Sequence, residues 1–339
     1  RDRSPSRGLG DVYKRQGLDD IYVGETICKE GLEEALPLIK VSEPTVQMNF
    51  GTNTSPFAGK EGQFVTGRKI EERLFRETQR DVSLRINRVD NKEEWIVSGR
   101  GELHLSILIE NLRREGFEFQ VSRPRVILKE IDGVINEPYE YVQVDVPDEY
   151  IGSAIEMFGN RRGNLEGMNS KDGQTRLIYT IPSKGLIGFM TDFLTATHGY
   201  GIINHTFLEY RPVQPDVFMG RKLGVLVSIN QGMATTYACG GVEDRGELLI
   251  EPGIMVYEGM IVGICNREED LAVNITREKQ MTNQRSATKD STTVLKKPRV
   301  FSLENYLSFI DEDELVEVTP NSIRLRKMIL DTVERKKYD

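Results

Sequence analysis

The sequence is poor in the residues that staple or metallate a fold. Its three cysteines, Cys28, Cys239 and Cys265, are odd in number and far apart, which argues against a disulfide framework and fits a reducing, cytoplasmic setting. Only three histidines occur, His104, His198 and His205, and none has a partner at helical spacing, so no zinc pattern and no metal site are expected. No apolar run approaches the roughly 18 residues of a transmembrane helix, so no membrane partner is expected either. Positive charge is not in excess: 45 Lys and Arg face 53 Asp and Glu, a net charge of −8. That excludes a globally basic nucleic-acid coat while leaving room for a local patch.

Catalytic signatures are missing as well. Gly51 and Gly59-Lys60 superficially suggest a phosphate loop, but seven residues separate the glycines and Glu61 follows the lysine where a Mg²⁺-binding hydroxyl is needed. Asn91-Lys92-Glu93-Glu94 is a turn with a Glu where guanine recognition requires Asp. Gly-x-Ser-x-Gly does not occur, and no catalytic constellation is visible.

What is present is a folded chain of 339 residues, 38% hydrophobic and 29% charged, enough for two or three domains. Residues 1–16 are basic, aperiodic and without an apolar signal core, and read as a non-native or disordered leader. From residue 43 the pattern organises. Val46, Met48 and Phe50 alternate as a strand, and 67–80 is helical with Ile70 and Leu74 on one face and a Glu72–Arg76 pair outside. The stretch 82–86 and the returning 94–98 are strands. Residues 101–115 are helical with Leu105, Leu108, Ile109 and Leu112 inward and Gly116 as C-cap, His104 reading as a packed histidine; 117–129 returns as a strand. The order βαββαβ then repeats: Val142, Val144 and Val146; a helix at 148–158 with Ile151, Ile155 and Phe158 on one side; a hairpin of 165–169 and 176–181; a helix at 185–197; and a strand at 202–210. Two such units predict an α+β chain with tandem ferredoxin-like domains. Beyond Pro212 and Pro215 short apolar runs between glycines predict a β-rich domain, with strands at 224–229, 235–239, 247–250, 260–265 and 271–275, a helix at 303–310 and alternation at 315–327. Boundaries fall near 42, 132 and 215.

Two local features bear on function. Arg161-Arg162-Gly163, after a helix, is either a helix-end device or a phosphate contact, and His198, in the glycine-rich turn 197–201, is either a C-cap turn or an RNA-contacting tip; the residues alone leave both open. Between Arg277 and Arg299, seven cations face two anions, a local +5 in an acidic chain, within a polar stretch rich in Thr, Ser, Asn and Gln. A basic loop on a β scaffold suits phosphate and shape contacts to folded RNA, and its shortage of aromatics argues against base stacking there.

The stretch Ser98-Gly99-Arg100-Gly101-Glu102-Leu103-His104-Leu105, running on to Glu118, resembles the third domain of translational GTPases and most closely the BipA/TypA family. Glu43-Pro44-Thr45-Val46, the segment from Asn53-Thr54-Ser55-Pro56-Phe57 to Gly62, Ile181-Pro182-Ser183-Lys184-Gly185 to Phe189, Val256-Tyr257-Glu258-Gly259 and the segment from Asp313-Glu314-Leu315-Val316-Glu317 to Pro320 extend the resemblance over residues 17–337. It implies that 17–41 ends a β-barrel domain II, that 42–131 and 132–215 are ferredoxin-like domains III and V as in elongation factor G, and that 216–339 is the family's own C-terminal domain. It further implies a ribosome-binding factor that acts in large-subunit assembly, translation and stress adaptation, as a monomer in the cytoplasm, with large-subunit rRNA and A-site tRNA as partners. Lys279, Asn283 and Arg285, with Arg277, match the family's contacting loop; Arg161, Arg162 and His198 match loop tips facing rRNA. GTP and Mg²⁺ would belong to a GTPase domain of the longer parent, and this chain alone is expected neither to bind nor to hydrolyse GTP. A protein-interaction or small-metabolite regulatory module on tandem ferredoxin-like domains is the alternative.

Overall fold

The computed structural model of the chain describes Thr26, Cys28, Gly31 and residues 43–214, 221–278 and 295–337. The expected leader and nearly all of the expected barrel segment lie outside the described residues.

The first unit runs β1 (Val46–Gly51), α1 (Gly67–Thr78), β2 (Arg85–Arg88), β3 (Glu94–Gly99), α2 (Glu102–Arg114) and β4 (Phe119–Ser122). The strands pair antiparallel in the order β4-β1-β3-β2, the ferredoxin-like arrangement the pattern predicts. The inward set of β1 packs with Trp95, Val97, Phe119 and Val121 against Ile70 and Leu74 of α1 and Leu105, Leu108, Ile109 and Leu112 of α2. Burying each such side chain is worth about 1.5–3 kcal/mol, so this face alone fixes the helix positions. Gly116 ends α2 in the left-handed region, at φ 93°. Glu72 pairs with Arg68 and Lys69, on its N-terminal side, and not with Arg76.

The predicted strand 117–129 is broken by Pro124, which has no N–H to donate. β5 (Arg125–Val126) still pairs with β1, but β6 (Lys129–Ile131) has crossed to the next sheet. That sheet belongs to the second unit: β7 (Val134–Pro147), α3 (Ile151–Asn160), β8 (Asn164–Lys171), β9 (Gln174–Pro182), α4 (Phe189–Ala196) and β10 (Ile202–Pro212), in the order β10-β7-β9-β8. Its core joins Val142, Val144, Val146, Leu177, Tyr179 and Ile181 to Ala154, Phe158, Phe189 and Phe193. Ile155 is exposed, because Ala154 and Phe158 take the inward positions of α3. The helix expected over 185–197 is two pieces. A 3-10 turn, Ser183–Leu186, gives way to an extended Ile187 and a left-handed Gly188 at φ 67°, and only then does α4 begin.

The third unit contributes β11 (Val225–Ser228), β12 (Gly232–Met233), α5 (Thr236–Val242), β13 (Gly246–Leu248), β14 (Met255–Val256), β15 (Met260–Cys265), β16 (Leu271–Val273), α6 (Leu303–Phe309), β17 (Glu314–Val318), β18 (Ile323–Lys327) and α7 (Thr332–Arg335). The predicted strand 235–239 is instead α5: the Thr235 hydroxyl accepts from Ala238 N at 3.1 Å, and this N-cap outweighs the β-propensity of the threonines. β17 pairs antiparallel with β4 of the first unit, Val316 opposite Val121 and Glu317 opposite Gln120. The two units therefore share one eleven-stranded sheet, and β4 is not an exposed edge.

Buried charge marks that seam. The Glu317 carboxylate, fully buried, accepts from Asn53 Nδ2 and Ser55 Oγ, each at 2.9 Å, from Tyr257 Oη at 2.7 Å and from Arg324 Nη1 at 3.1 Å. Glu118 accepts from Asn53 Nδ2 at 2.8 Å and from the backbone N–H groups of Gly59 and Gly62. The loop 53–62 is thus wrapped around two carboxylates of its own chain, the opposite of a phosphate cradle. Nearby, Glu314 is buried between Arg221 and Lys327, 2.9 and 2.8 Å away. Burial would push its carboxyl up, but these two cations outweigh it and hold the group below the usual range.

Candidate nucleic-acid interface

Both helices of the second unit end in the same way. Gly163 N donates to Phe158 O at 2.8 Å and Arg162 N to Gly159 O at 3.0 Å; Gly199 N donates to Leu194 O at 2.8 Å and His198 N to Thr195 O at 3.2 Å. These are Schellman closures, in which the left-handed position normally belongs to glycine. Here it is Arg162, at φ 60°, and His198, at φ 49°, with the glycine one place later. A side chain held there costs on the order of 1 kcal/mol, which points to a use for it at the surface.

His198 is exposed at a tip. The Tyr150 ring lies 5.8 Å from its ring and 6.4 Å from that of Tyr200, nearly parallel to the latter at 14°. Tyr200 is 65% exposed. Below it Gly201 is obligatory, since a Cβ would stand 2.3 Å from Phe193 Cε1. Thr197 Oγ1 fixes the turn by donating to Phe193 O at 2.8 Å and accepting from Gly201 N at 3.2 Å. Two exposed flat side chains, His198 and Tyr200, backed by the half-buried Tyr150, can stack on an unpaired base.

Arg161 and Arg162 lie at the other end of the helix pair, because α3 and α4 are antiparallel. Arg161 Nη1 donates to Ile187 O at 2.9 Å and its guanidinium lies 3.6 Å from the Asp192 carboxylate, so its charge is directed to the entry of α4. Arg162 is exposed. The two arginines and His198 are therefore not one site.

Of the basic segment in the third unit, Lys279, Asn283 and Arg285 lie outside the described residues. Arg277 is exposed, and its carbonyl accepts from Thr235 Oγ1 at 2.6 Å, at the N-cap of α5. On the return, Lys296 N donates to the Glu243 carboxylate at the other end of α5, at 2.7 Å, and Arg299 N to Leu248 O at 2.9 Å. Lys296 and Lys297 are exposed, and Arg299 lies over the Phe301 ring and 3.3 Å from Glu247. Both ends of the segment are thus anchored on α5 and β13. Neither remaining histidine joins these surfaces. His104 Nε2 is 2.7 Å from Asp81. His205 is paired with Glu140, whose hydrogen bond raises the imidazole above its ordinary range. Among the described residues no group of His, Cys, Asp and Glu could hold a metal ion.

Three family models match consecutive parts of the chain: elongation factor G domain III at residues 65–123, the elongation factor G C-terminus at 134–220 and the TypA/BipA C-terminal domain at 223–332. A Bacillus subtilis protein named large ribosomal subunit assembly factor BipA is 57% identical over 329 residues, 97% of this chain and 54% of that relative. The chain belongs to the BipA/TypA family. Relatives of the same name from Synechocystis and Salmonella typhimurium are 50% and 49% identical, over 96% and 97% of this chain and 54% of each relative. The chain spans about half the length of the curated relatives it matches, and it carries the TypA/BipA C-terminal domain.

In this BipA/TypA chain, sequence reasoning missed Tyr150 and Tyr200. A tyrosine beside the glycine turn was a signal for the second. Nothing in the sequence brought Tyr150, some fifty residues earlier, to the same tip, because that pairing follows from the helices being antiparallel. The acidic hub of Glu118 and Glu317 was likewise invisible in a charge count.

Proposed function

We propose that this chain is the ribosome-docking part of a large-subunit assembly factor that is a GTPase in its full length. The GTP and Mg²⁺ chemistry would reside in the remainder of the parent, and the part described here would supply recognition. We take 42–131 and 132–215 as domains III and V and 216–339 as the C-terminal domain, following a barrel domain that ends at 17–41. The observation that carries the reading is the tip of exposed His198 and Tyr200 backed by the half-buried Tyr150, held in a strained helix end on a unit that matches the elongation factor G C-terminus. Folded RNA offers unpaired bases for such a tip and phosphates for cations. Arg162 and the segment from Arg277 through Lys279, Asn283 and Arg285 would contact phosphates of rRNA or of A-site tRNA. The factor would act as a cytoplasmic monomer, including under stress.

Pelleting of the chain with purified large ribosomal subunits over a salt series tests this. Tyr200→Ala should weaken binding by about 1–3 kcal/mol with the salt slope unchanged. Lys279→Glu with Arg285→Glu should weaken it and flatten the slope by roughly one for each phosphate that is no longer neutralised. Wild-type pelleting by both variants at every salt concentration would overturn the reading.

A further inference from the structure

Between the first and second units lies a cavity of about 760 Å³ that the RNA-facing tips do not use. Its walls are the outer faces of two helices that leave apolar side chains in the open: Leu103 and Ile107 on α2, 59% and 52% exposed, and Met190 and Leu194 on α4. The size and the apolar lining are those of small-molecule sites.

The polar lining of the cavity holds three carboxylates, of Glu102, Glu140 and Glu304, together with Arg100, two histidines and the hydroxyls of Ser183 and Thr191. Glu102, at the start of α2, reaches across the cleft and accepts from Gly188 N at 2.6 Å through Oε2. Its other oxygen, Oε1, is sealed from solvent and has no partner among the described residues. A buried carboxylate oxygen with no donor is costly, and a donor brought by a ligand would remove that cost. Two further carboxylates face the cavity, Glu140 from β7 and Glu304 from α6. Of the basic groups on the lining, His205 is engaged with Glu140 and His104 with Asp81, while Arg100 is exposed. Arg161 is occupied at the α4 entry.

We propose that this cleft binds a small organic cation, an amine head on an apolar body, with the ammonium on Glu102 and the body between α2 and α4. The amine approaches the side chain of Glu102, which lines the cleft and is partly exposed, and the body covers side chains that water now touches. Burial, with the like charge of Glu304, lifts the Glu102 carboxyl to about 7, against the Gly188 hydrogen bond and Arg161, so the site is in its anionic form above neutrality.

The test uses the full chain, methyl-labelled at methionine and amide-labelled, at a pH above 7. Two probes of one shape and opposite charge are compared, tryptamine and indole-3-propionate. Tryptamine should shift the Met190 methyl and Gly188 amide signals and bind roughly tenfold or more tightly than the anion, the value of a charge-assisted hydrogen bond. Glu102→Gln should erase that preference, and Leu194→Trp, which fills the cleft from an exposed position, should abolish both responses. Equal affinity for the two probes, shifts confined to other residues, or a Leu194→Trp chain that still binds tryptamine would overturn the proposal. If Glu102→Gln fails to fold, the charge pair of probes and the Leu194→Trp chain decide it.

Discussion

Replacing Glu317 by alanine tests whether the first and third units are one folding unit. Glu317 is on β17, in the third unit, yet two of its four donors, Asn53 and Ser55, come from the first. Breaking a buried, hydrogen-bonded ion pair from one side costs about 3–5 kcal/mol. Asn53 keeps Glu118 and Arg324 keeps Glu61, so only Ser55 and Tyr257 lose the acceptor they have here, and the lower end, about 3 kcal/mol, is expected. Glu317→Gln keeps an acceptor in place and should cost about 1 kcal/mol, the loss of charge assistance alone. The readout is built in. The sole tryptophan, Trp95, is buried on β3, two strands from β4, and reports the first unit. With a urea slope of about 3 kcal/mol per molar, Glu317→Ala should lower the Trp95 midpoint by roughly 1 M, and far-UV circular dichroism should move with it. If the circular dichroism transition shifts while that of Trp95 stays in place, the shared sheet does not couple the units and the reasoning fails.

Four further outcomes follow from named contacts. Glu102 is held at about 7 in the fold and relaxes to the ordinary 4.5 on unfolding, so the folded state takes up a proton between these values. Stability should then fall as pH rises from about 4.5 to about 7, and Glu102→Gln should flatten that slope in thermal melts. His205 has the opposite origin: its raised value means that its contribution is complete below the unfolded imidazole range and is lost as pH rises through the folded value. Glu140→Gln should lower the His205 titration midpoint seen by NMR. Gly188→Ala adds a Cβ 2.7 Å from Ser308 Cβ at a left-handed residue, and should destabilise by about 1–3 kcal/mol in denaturant melts. His198→Gly should do the reverse, adding about 1 kcal/mol to stability while weakening ribosome binding.

The tandem ferredoxin-like pattern was legible because period and burial agree: Val46, Met48 and Phe50, then Val142, Val144 and Val146, alternate and all face inward. The misreadings arose where a local device beat propensity. Pro124 cut a strand, the Thr235 hydroxyl capped a helix, and Gly188 gave its N–H to Glu102 instead of continuing one. What no periodicity carries is contact between units. The seam residues Asn53, Ser55, Glu118 and Glu317 are polar, yet Asn53 and Ser55 pair with Glu317 across 264 and 262 positions and Asn53 with Glu118 across 65. The stretches 53–62, 181–189, 256–259 and 313–320 supply contacts between units, Asn53 and Ser55 with Glu317, Gly188 with Glu102 and Tyr257 with Phe57.

The same logic separates structure from function at the helix ends of the second unit. Packing has no need of a side chain at a left-handed Schellman position; glycine there is the more stable choice, and in both turns glycine is available one residue later. Arg162 and His198 occupy that position anyway. Local rules are broken at a cost chiefly where a surface must present a particular group. At His198 the broken rule coincides with an exposed tyrosine, Tyr200, and a half-buried one, Tyr150, whereas next to Arg162 the neighbouring arginine is drawn into the fold. On the proposed reading, substituting His198 should trade binding for stability, which pelleting and denaturant melts of His198→Gly measure side by side.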